Sequence, residues 1–323
     1  MGNLIKAFLF DLDGVFYVDN QLIDGGNETL KYLRDLKIPF RFITNNTTKS
    51  RNDLTSKLIQ LGLEVEKEEI ISANYAGVLL LKQLNLKNCK LILRPEAQED
   101  YSHLTQNDAP LEAIVVGDIG SDWNHNLMNE LLQDLLNGAE LVALHKGRYF
   151  ESEGGLTIDA GAFVAGLEYA SGVTAKVIGK PNPTFFELAS AHFNCKPEQI
   201  VLVGDDFIND IGGGHAMGYS TIMVKTGKYR AALAKKAKVQ PHYFLSSIKE
   251  LPKWLKEQEE KSMEKIRLEV YNNGKIRCFG TTPENFELLD QEGKAITHGN
   301  PFTLCGCGKS QKKPICDGSH KEV

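Results

Sequence analysis

Residues 7–10, Ala-Phe-Leu-Phe, form an apolar run without alternation, and the chain leaves it through Asp11-Leu12-Asp13-Gly14. A strand that is apolar at every position has to be covered on both faces, which is the condition of a sheet lying between two layers of helices. The expectation is therefore an open α/β sheet, and such sheets bind ligands at the carboxyl ends of their strands. Two carboxylates crowded at that end repel unless a cation lies between them, and hard oxygen ligands suit Mg²⁺. An acidic turn after a strand, with Gly14 supplying the bend, accounts for the same residues without any chemistry.

Three later segments have the same build. The stretch 40–43, apolar but for Arg41, is followed by Thr44-Asn45-Asn46-Thr47-Thr48, residue types that cap helices and offer a hydroxyl and backbone N–H groups to an anion. Val177-Ile178-Gly179 leads to Lys180-Pro181-Asn182-Pro183, where Pro181 biases Lys180 toward extended backbone and Pro183 opens a predicted helix over 184–193. Lys180 is then a fixed positive charge at a strand end. The run 200–203 ends in Gly204-Asp205-Asp206, with Asp210 further on, so a second set of carboxylates reaches the same predicted edge. Singly, each segment also reads as a helix cap, a surface lysine or an acidic loop.

Taken together and in this order, the four segments resemble the motifs of the haloacid dehalogenase superfamily of phosphotransferases. The resemblance implies roles position by position. Asp11 is the nucleophile that forms an aspartyl-phosphate, and Asp13 is the general acid that later serves as base. A carboxylate at both positions favours phosphoryl transfer over dehalogenation. Thr44 and the backbone at Asn45 hold phosphoryl oxygens, while Lys180 neutralises charge shared by Asp11 and the phosphate. Mg²⁺ is held by the Asp11 carboxylate, the Asp13 carbonyl and Asp205; Asp210 orients that shell, and Asp206 assists either the metal or the water.

The stretch between Thr48 and Gly179 is too long for a single connection, and it carries strand-like runs at 91–93, 113–116 and 141–144 with helical patterns at 126–137 and 162–170. It predicts an inserted α/β cap. The resemblance narrows accordingly to the subfamily with a large cap between the second and third motifs, which includes the N-acetylglucosamine-6-phosphate phosphatase-like proteins. Within it, Leu144-His145-Lys146-Gly147-Arg148-Tyr149 and Asp159-Ala160-Gly161-Ala162-Phe163-Val164 are most similar to the phospholysine/phosphohistidine inorganic pyrophosphate phosphatase group. His145, Lys146 and Arg148 either meet an anionic substrate or form a solvated turn. The predicted plan is a Rossmann-like, doubly wound core over 1–80 and 176–252, a cap over 81–175, a linker or short helix over 253–265 and a tail domain over 266–323.

Nothing in a phosphatase requires the tail. Cys305, Cys307, Cys316 and His320 bring three thiols and an imidazole within sixteen residues, and the other cysteines are scattered singly at 89, 195 and 278. That distribution is unlike a disulfide scaffold and points to a metal centre. A Cys₃His zinc site is one reading. The string from Cys305 to His320 resembles the CDGSH iron–sulfur domain, which implies a [2Fe–2S] cluster on Cys305, Cys307, Cys316 and His320. Gly306 and Ile315 stand where that family more often has arginine and phenylalanine. A neutral, titratable imidazole ligand raises a cluster's potential above that of all-thiolate ligation. Runs at 266–270, 275–279 and 286–289 read as short strands, giving a small β-rich body, and the resemblance further implies a homodimer.

A chain of 323 residues with 42% hydrophobic content accommodates these domains. The net charge of −5, with no basic stripe among aromatics, argues against a nucleic-acid partner. No apolar run is long enough to cross a bilayer, so a soluble, cytoplasmic protein without a membrane partner is expected. The leading expectation is a Mg²⁺-dependent phosphatase for a small phosphomonoester, pyrophosphate or phosphoramidate, carrying a cluster with a redox or cluster-acceptor partner. The competing one is an electron-transfer or cluster-donor protein whose phosphatase-like half is a scaffold.

Overall fold

The structure, a computed structural model, describes residues 5–104, 109–152, 154–262, 266–271, 275–281, 286–290, 292–306 and 309–318. They divide into two compact units, Lys6–Leu251 and Pro252–Val323, the latter grouped with the first five residues.

All five residues of the first strand, Ala7–Asp11, are buried, as its unbroken apolar character requires. It lies inside a six-stranded parallel sheet in the order Tyr243–Leu245, Ser220–Val224, Ile200–Gly204, Ala7–Asp11, Phe40–Thr44, Ile70–Ser72. The chain runs outward from the first strand to one side, then returns to its other side, so this strand borders the topological switch point. Register aligns Asp11 with Ile43 and Phe10 with Val203, which brings Asp11, Thr44 and Asp205 to one sheet edge. Phe8 stacks on Phe10, and Phe10, Phe16, Phe40 and Phe42 pack edge to face or tilted beneath that edge, with ring centroids 5.2–6.3 Å apart among the contacting pairs.

A second parallel sheet runs Lys176–Val177, Glu140–Ala143, Ala113–Val116, Cys89–Ile92. The helix Ala73–Leu84, capped by Ser72 and closed by left-handed Asn85, places Ala76 and Leu81 in a buried cluster that also holds Leu9 and Ile43 of the first sheet and Val115 and Val142 of the second. The 80/81 boundary expected from sequence thus falls inside a helix shared by both sheets. The strand Lys176–Val177, which the expected plan gives to the core, is an edge of the second sheet. On that sheet's far face, His125–Leu136 and Ala160–Ser171 close another cluster around Trp123, whose ring stacks on Phe163 at 4.5 Å.

The tail unit contains an antiparallel sheet of Arg267–Val270, Ile276–Phe279 and Phe302–Leu304. The strand expected at 286–289 is instead loop with a single bridge from Leu289 to Ala295, and Phe302–Leu304 takes its place. The apolar side chain that completes this small core, Phe302, lies opposite Cys278 and comes from beyond the predicted run. The helix Leu251–Ser262 occupies most of the stretch expected as linker or short helix.

Candidate active site

At the edge where three strands of the first sheet end, Lys180 is the organising charge. Its ammonium, 3% exposed, donates to Asp11 Oδ1 at 2.8 Å and to Asp210 Oδ1 at 2.7 Å. Burial alone pulls its pKa down, but the Asp11 and Asp210 carboxylates outweigh it and hold Lys180 above the ordinary lysine range. Lys180 is delivered from the second sheet: Ile178 and Gly179 donate to Ala143 and Leu144 carbonyls at 2.9 and 2.8 Å. Asn45 then grips its backbone from both sides, accepting from Lys180 N at 2.7 Å and donating to Lys180 O at 2.9 Å. A Cβ on Gly179 would sit 2.6 Å from Leu144 O and 2.9 Å from Asn45 Oδ1, so only glycine permits this approach.

Asp11, Asp205 and Asp210 are all buried and present carboxylate oxygens within 4.8 Å of one another. Against these three carboxylates Lys180 is the one ammonium in direct contact among the described residues, with the more exposed Lys228 acting from further off, so the group stays net negative. Asp205 Oδ2 accepts from Lys228 N at 2.7 Å, whereas its Oδ1 is buried with no hydrogen-bond partner. Burial pushes Asp205 up to about 6, with Asp210 adding to the effect. Burial, then Asp11, pushes Asp210 up to about 6 as well. Asp11 is raised by burial despite Lys180. An orphaned carboxylate oxygen within a net-negative buried group is the environment a hard divalent cation satisfies.

The remaining expected residues divide between cavity and scaffold. Asp11, Asp13, Thr44, Asn45, Lys180, Asp206 and Asp210 line one cavity of about 190 Å³ together with Asn46, Asn209 and Lys228. Asp13 is exposed there and its Oδ2 accepts from the Tyr17 hydroxyl at 2.9 Å. Thr44 Oγ1 accepts from Asn46 N at 3.3 Å, folding the loop toward the cavity. Asp206 caps the helical turn Phe207–Gly212, accepting from Ile208 N and Asn209 N at 2.9 Å each. Burial raises its carboxyl, but those backbone donors and Lys228 outweigh it and hold it below the usual range. His145, Lys146 and Arg148 do not line the cavity. His145 pairs with Asp159 at 2.7 Å and Lys146 with Glu168, which engages two of the three side chains read either as meeting an anionic substrate or as forming a solvated turn.

The loop Thr226-Gly227-Lys228 was not anticipated. Thr226 Oγ1 donates to Gly14 O, and Gly227, at φ +57°, passes so close that a Cβ would meet Asp205 Oδ2 at 2.1 Å. Its signal lies in the short apolar run 222–224, followed by a glycine loop with a cation, a build similar to that of the other four segments.

Comparison with known proteins places the chain. The haloacid dehalogenase-like hydrolase family matches residues 8–104, and a second family described as haloacid dehalogenase hydrolase-like matches residues 177–251. Haloacid dehalogenase-like hydrolase domain-containing protein 2 of Rattus norvegicus is 36% identical over 239 residues, covering 74% of this chain and 91% of that protein. This chain belongs to the haloacid dehalogenase-like hydrolase family. It is a hydrolase of the phosphatase type. Phospholysine phosphohistidine inorganic pyrophosphate phosphatase of Xenopus laevis is 30% identical over 76% of this chain and 93% of that protein. The crystal structure of 4-nitrophenylphosphatase from Thermotoga maritima superposes with a TM-score of 0.71 at 25% identity, covering 78% of this chain and 97% of that one. Family membership accounts for the unit Lys6–Leu251. The iron-binding CDGSH-type family matches residues 282–321, so the tail carries an iron-binding CDGSH domain.

Within that domain, Leu304 bridges Ile315, with Cys305 N donating to Pro314 O and Cys316 N to Thr303 O, each at 2.7 Å. Antiparallel pairing of this register puts Cys305 and Cys316 on the same face. Ser310 N donates to Cys305 Sγ at 3.4 Å. Cys307 and His320, the other two expected ligands, lie outside the described residues.

Proposed function

We propose that the chain is a Mg²⁺-dependent phosphatase acting on a small phosphomonoester, pyrophosphate or phosphoramidate through an aspartyl-phosphate on Asp11. The observation that carries this reading is the buried Asp11–Lys180–Asp210 array beside the unpartnered Asp205 Oδ1. With one oxygen held by Lys180, the Asp11 carboxylate attacks phosphorus while Asp13, steadied by Tyr17, gives its proton to the leaving oxygen. Asp13 then takes a proton from water as that water attacks the phosphoryl group, which frees inorganic phosphate and restores Asp11. Thr44 and the Asn45 backbone N–H hold phosphoryl oxygens, and Lys180 balances charge in a site where burial strengthens its field. Mg²⁺ would be held by Asp11, the Asp13 carbonyl and Asp205, with Asp210 and Asp206 fixing their neighbours from behind; when bound it neutralises phosphoryl charge.

The tail in this reading holds a [2Fe–2S] cluster on Cys305, Cys307, Cys316 and His320, for redox or regulatory use. Two thiols on one face, one accepting a backbone N–H, support it. A homodimer paired through the tail, acting in the cytoplasm, completes the proposal; the edge strand Arg267–Val270 exposes Leu268 and Val270 by 56% and 73%, which supports pairing there. No helix among the described residues is long and apolar enough to cross a membrane. An electron-transfer protein on a phosphatase-like scaffold has no use for Lys180 buried between two carboxylates, an arrangement costly to maintain.

Asp11→Asn decides the matter: Mg²⁺-dependent phosphate release from p-nitrophenyl phosphate should fall at least about 1,000-fold while iron content stays that of the wild type. Release at the wild-type rate would remove Asp11 as nucleophile.

A further inference from the structure

Resting on the phosphatase reading, we infer that Lys228 selects substrates whose leaving group carries its own negative charge, a second phosphate above all. The two lysines lining the cavity differ in what they have left to give. Lys180 is 3% exposed and committed to Asp11 and Asp210, so its field serves the phosphoryl group that is transferred. Lys228 is 63% exposed and touches one carboxylate oxygen, Asp206 Oδ2, at 3.3 Å, longer than the ~2.7–2.9 Å of a committed charged pair. Asp206 keeps Ile208 N, Asn209 N and Asn209 Nδ2 when that ammonium turns toward a substrate. Moving the charge therefore leaves the Asp206 carboxylate hydrogen-bonded.

The backbone of Lys228, in contrast, is fixed to the catalytic loop. Lys228 N donates to Asp205 Oδ2 at 2.7 Å, Thr226 Oγ1 donates to Gly14 O, and Gly227 packs on both loops too closely for any side chain. A mobile ammonium on a fixed stem thus lines the same cavity as Asp13, the residue read as protonating the leaving oxygen. Around it the cavity is also lined by the carboxylates of Asp11, Asp206 and Asp210, which repel an anionic leaving group. The cap does not compensate, since His145 and Lys146 are paired with Asp159 and Glu168 and neither they nor Arg148 line the cavity. A cavity of about 190 Å³, below the ~300–1,000 Å³ of pockets for larger ligands, suits a short diphosphate better than a bulky ester. With inorganic pyrophosphate, Asp11 attacks one phosphorus, the bridging P–O bond breaks, the departing phosphate takes its proton from Asp13 and pairs with Lys228, and water then releases the second phosphate.

The test compares kcat/KM for inorganic pyrophosphate and for p-nitrophenyl phosphate, whose leaving group has no second ionised group, in wild type, Lys228→Gln and Lys228→Arg, all loaded with Mg²⁺. Lys228→Gln should lower the pyrophosphate-to-nitrophenyl selectivity ratio at least tenfold, mainly through KM for pyrophosphate, and Lys228→Arg should recover most of it. A selectivity ratio unchanged by Lys228→Gln overturns the inference, as does a wild type that cleaves the nitrophenyl ester but not pyrophosphate. Wild type inactive on both substrates overturns the phosphatase reading itself and this inference with it. Thermal unfolding of each variant separates a selectivity change from a folding defect.

Discussion

Asp205 shows how a single carboxyl ties stability to metal and pH. In the fold it keeps its proton up to about pH 6, whereas its ordinary value is 3.8, so the folded state binds that proton where the unfolded chain does not. The resulting cost is absent below about pH 4 and complete above about pH 6, and stability without metal falls as pH rises between them. At ~1.4 kcal/mol per unit, the effect is on the order of 3 kcal/mol. Asp205→Asn, which carries no charge, should therefore melt higher than wild type in EDTA at pH 7.5 and lose that advantage at pH 4. Mg²⁺ should raise the wild-type Tm at pH 7.5 and leave Asp205→Asn nearly unmoved. Equal EDTA melting curves for the two proteins at pH 7.5 would show that the buried charge carries no such cost. Lys180 obeys the opposite logic, because it compensates its neighbours. Lys180→Ala leaves Asp11 and Asp210 facing each other in a buried site and should cost about 3–5 kcal/mol in urea unfolding at pH 7.5, besides abolishing turnover.

Strands and loops set where those charges stand. Gly179 lies between the strand end at Leu144 and the Asn45 side chain, and a methyl group there meets Leu144 O at 2.6 Å. Gly179→Ala should push Lys180 off its two carboxylates, lowering kcat about 10–100-fold and stability by about 1–3 kcal/mol, read by steady-state kinetics and thermal melts of the same preparation. Beneath the site, Phe42 is fully buried and packs against Phe10, Phe16 and Phe40. Phe42→Ala removes that ring from the layer supporting Asp11 and Thr44 and should cost about 3–5 kcal/mol of unfolding free energy in urea titrations. Loss below 1 kcal/mol would mean that the aromatic layer collapses around the gap.

Across the chain, every residue assigned to phosphoryl transfer lies within Lys6–Leu251, and the iron-binding CDGSH match lies within Pro252–Val323. A continuous cluster from Leu9 and Ile43 through Ala76 to Val115 and Val142 makes the two parallel sheets one packed body, so the cavity is shaped by both. Removing iron with a chelator, followed by Mg²⁺ repletion, should leave phosphate release from p-nitrophenyl phosphate within about twofold of the untreated protein, since every residue assigned to phosphoryl transfer belongs to Lys6–Leu251. A larger change, with Mg²⁺ occupancy matched, would reveal coupling between the two activities.

Local pattern was enough for much of this protein. A short apolar run bounded by acidic or capping residues reads as a strand covered on both faces, so Ala7–Asp11 and Ile200–Gly204 are legible, as is Phe40–Thr44 despite Arg41, and so are the aspartates and threonine at their ends. The crowding of Cys305, Cys307, Cys316 and His320 is equally plain, because residues close in sequence are visible without a fold, and the match to the iron-binding CDGSH-type family covers all four. What local pattern does not carry is a partnership between distant segments. Asn45 and Lys180 are 135 positions apart, and nothing in either neighbourhood foretells that the amide grips the lysine backbone. Lys180 comes from the second sheet, Phe302–Leu304 replaces the strand expected at 286–289, and His145 and Lys146 turn to Asp159 and Glu168 instead of the cavity. Lys228 reaches the site because the strand Ser220–Val224 pairs beside Ile200–Gly204, which places its loop against Asp205. Covalent neighbours and hydrophobic period act over a few residues and can be read along the chain, whereas charge compensation and close approach act through space and exist only after the sheets have assembled.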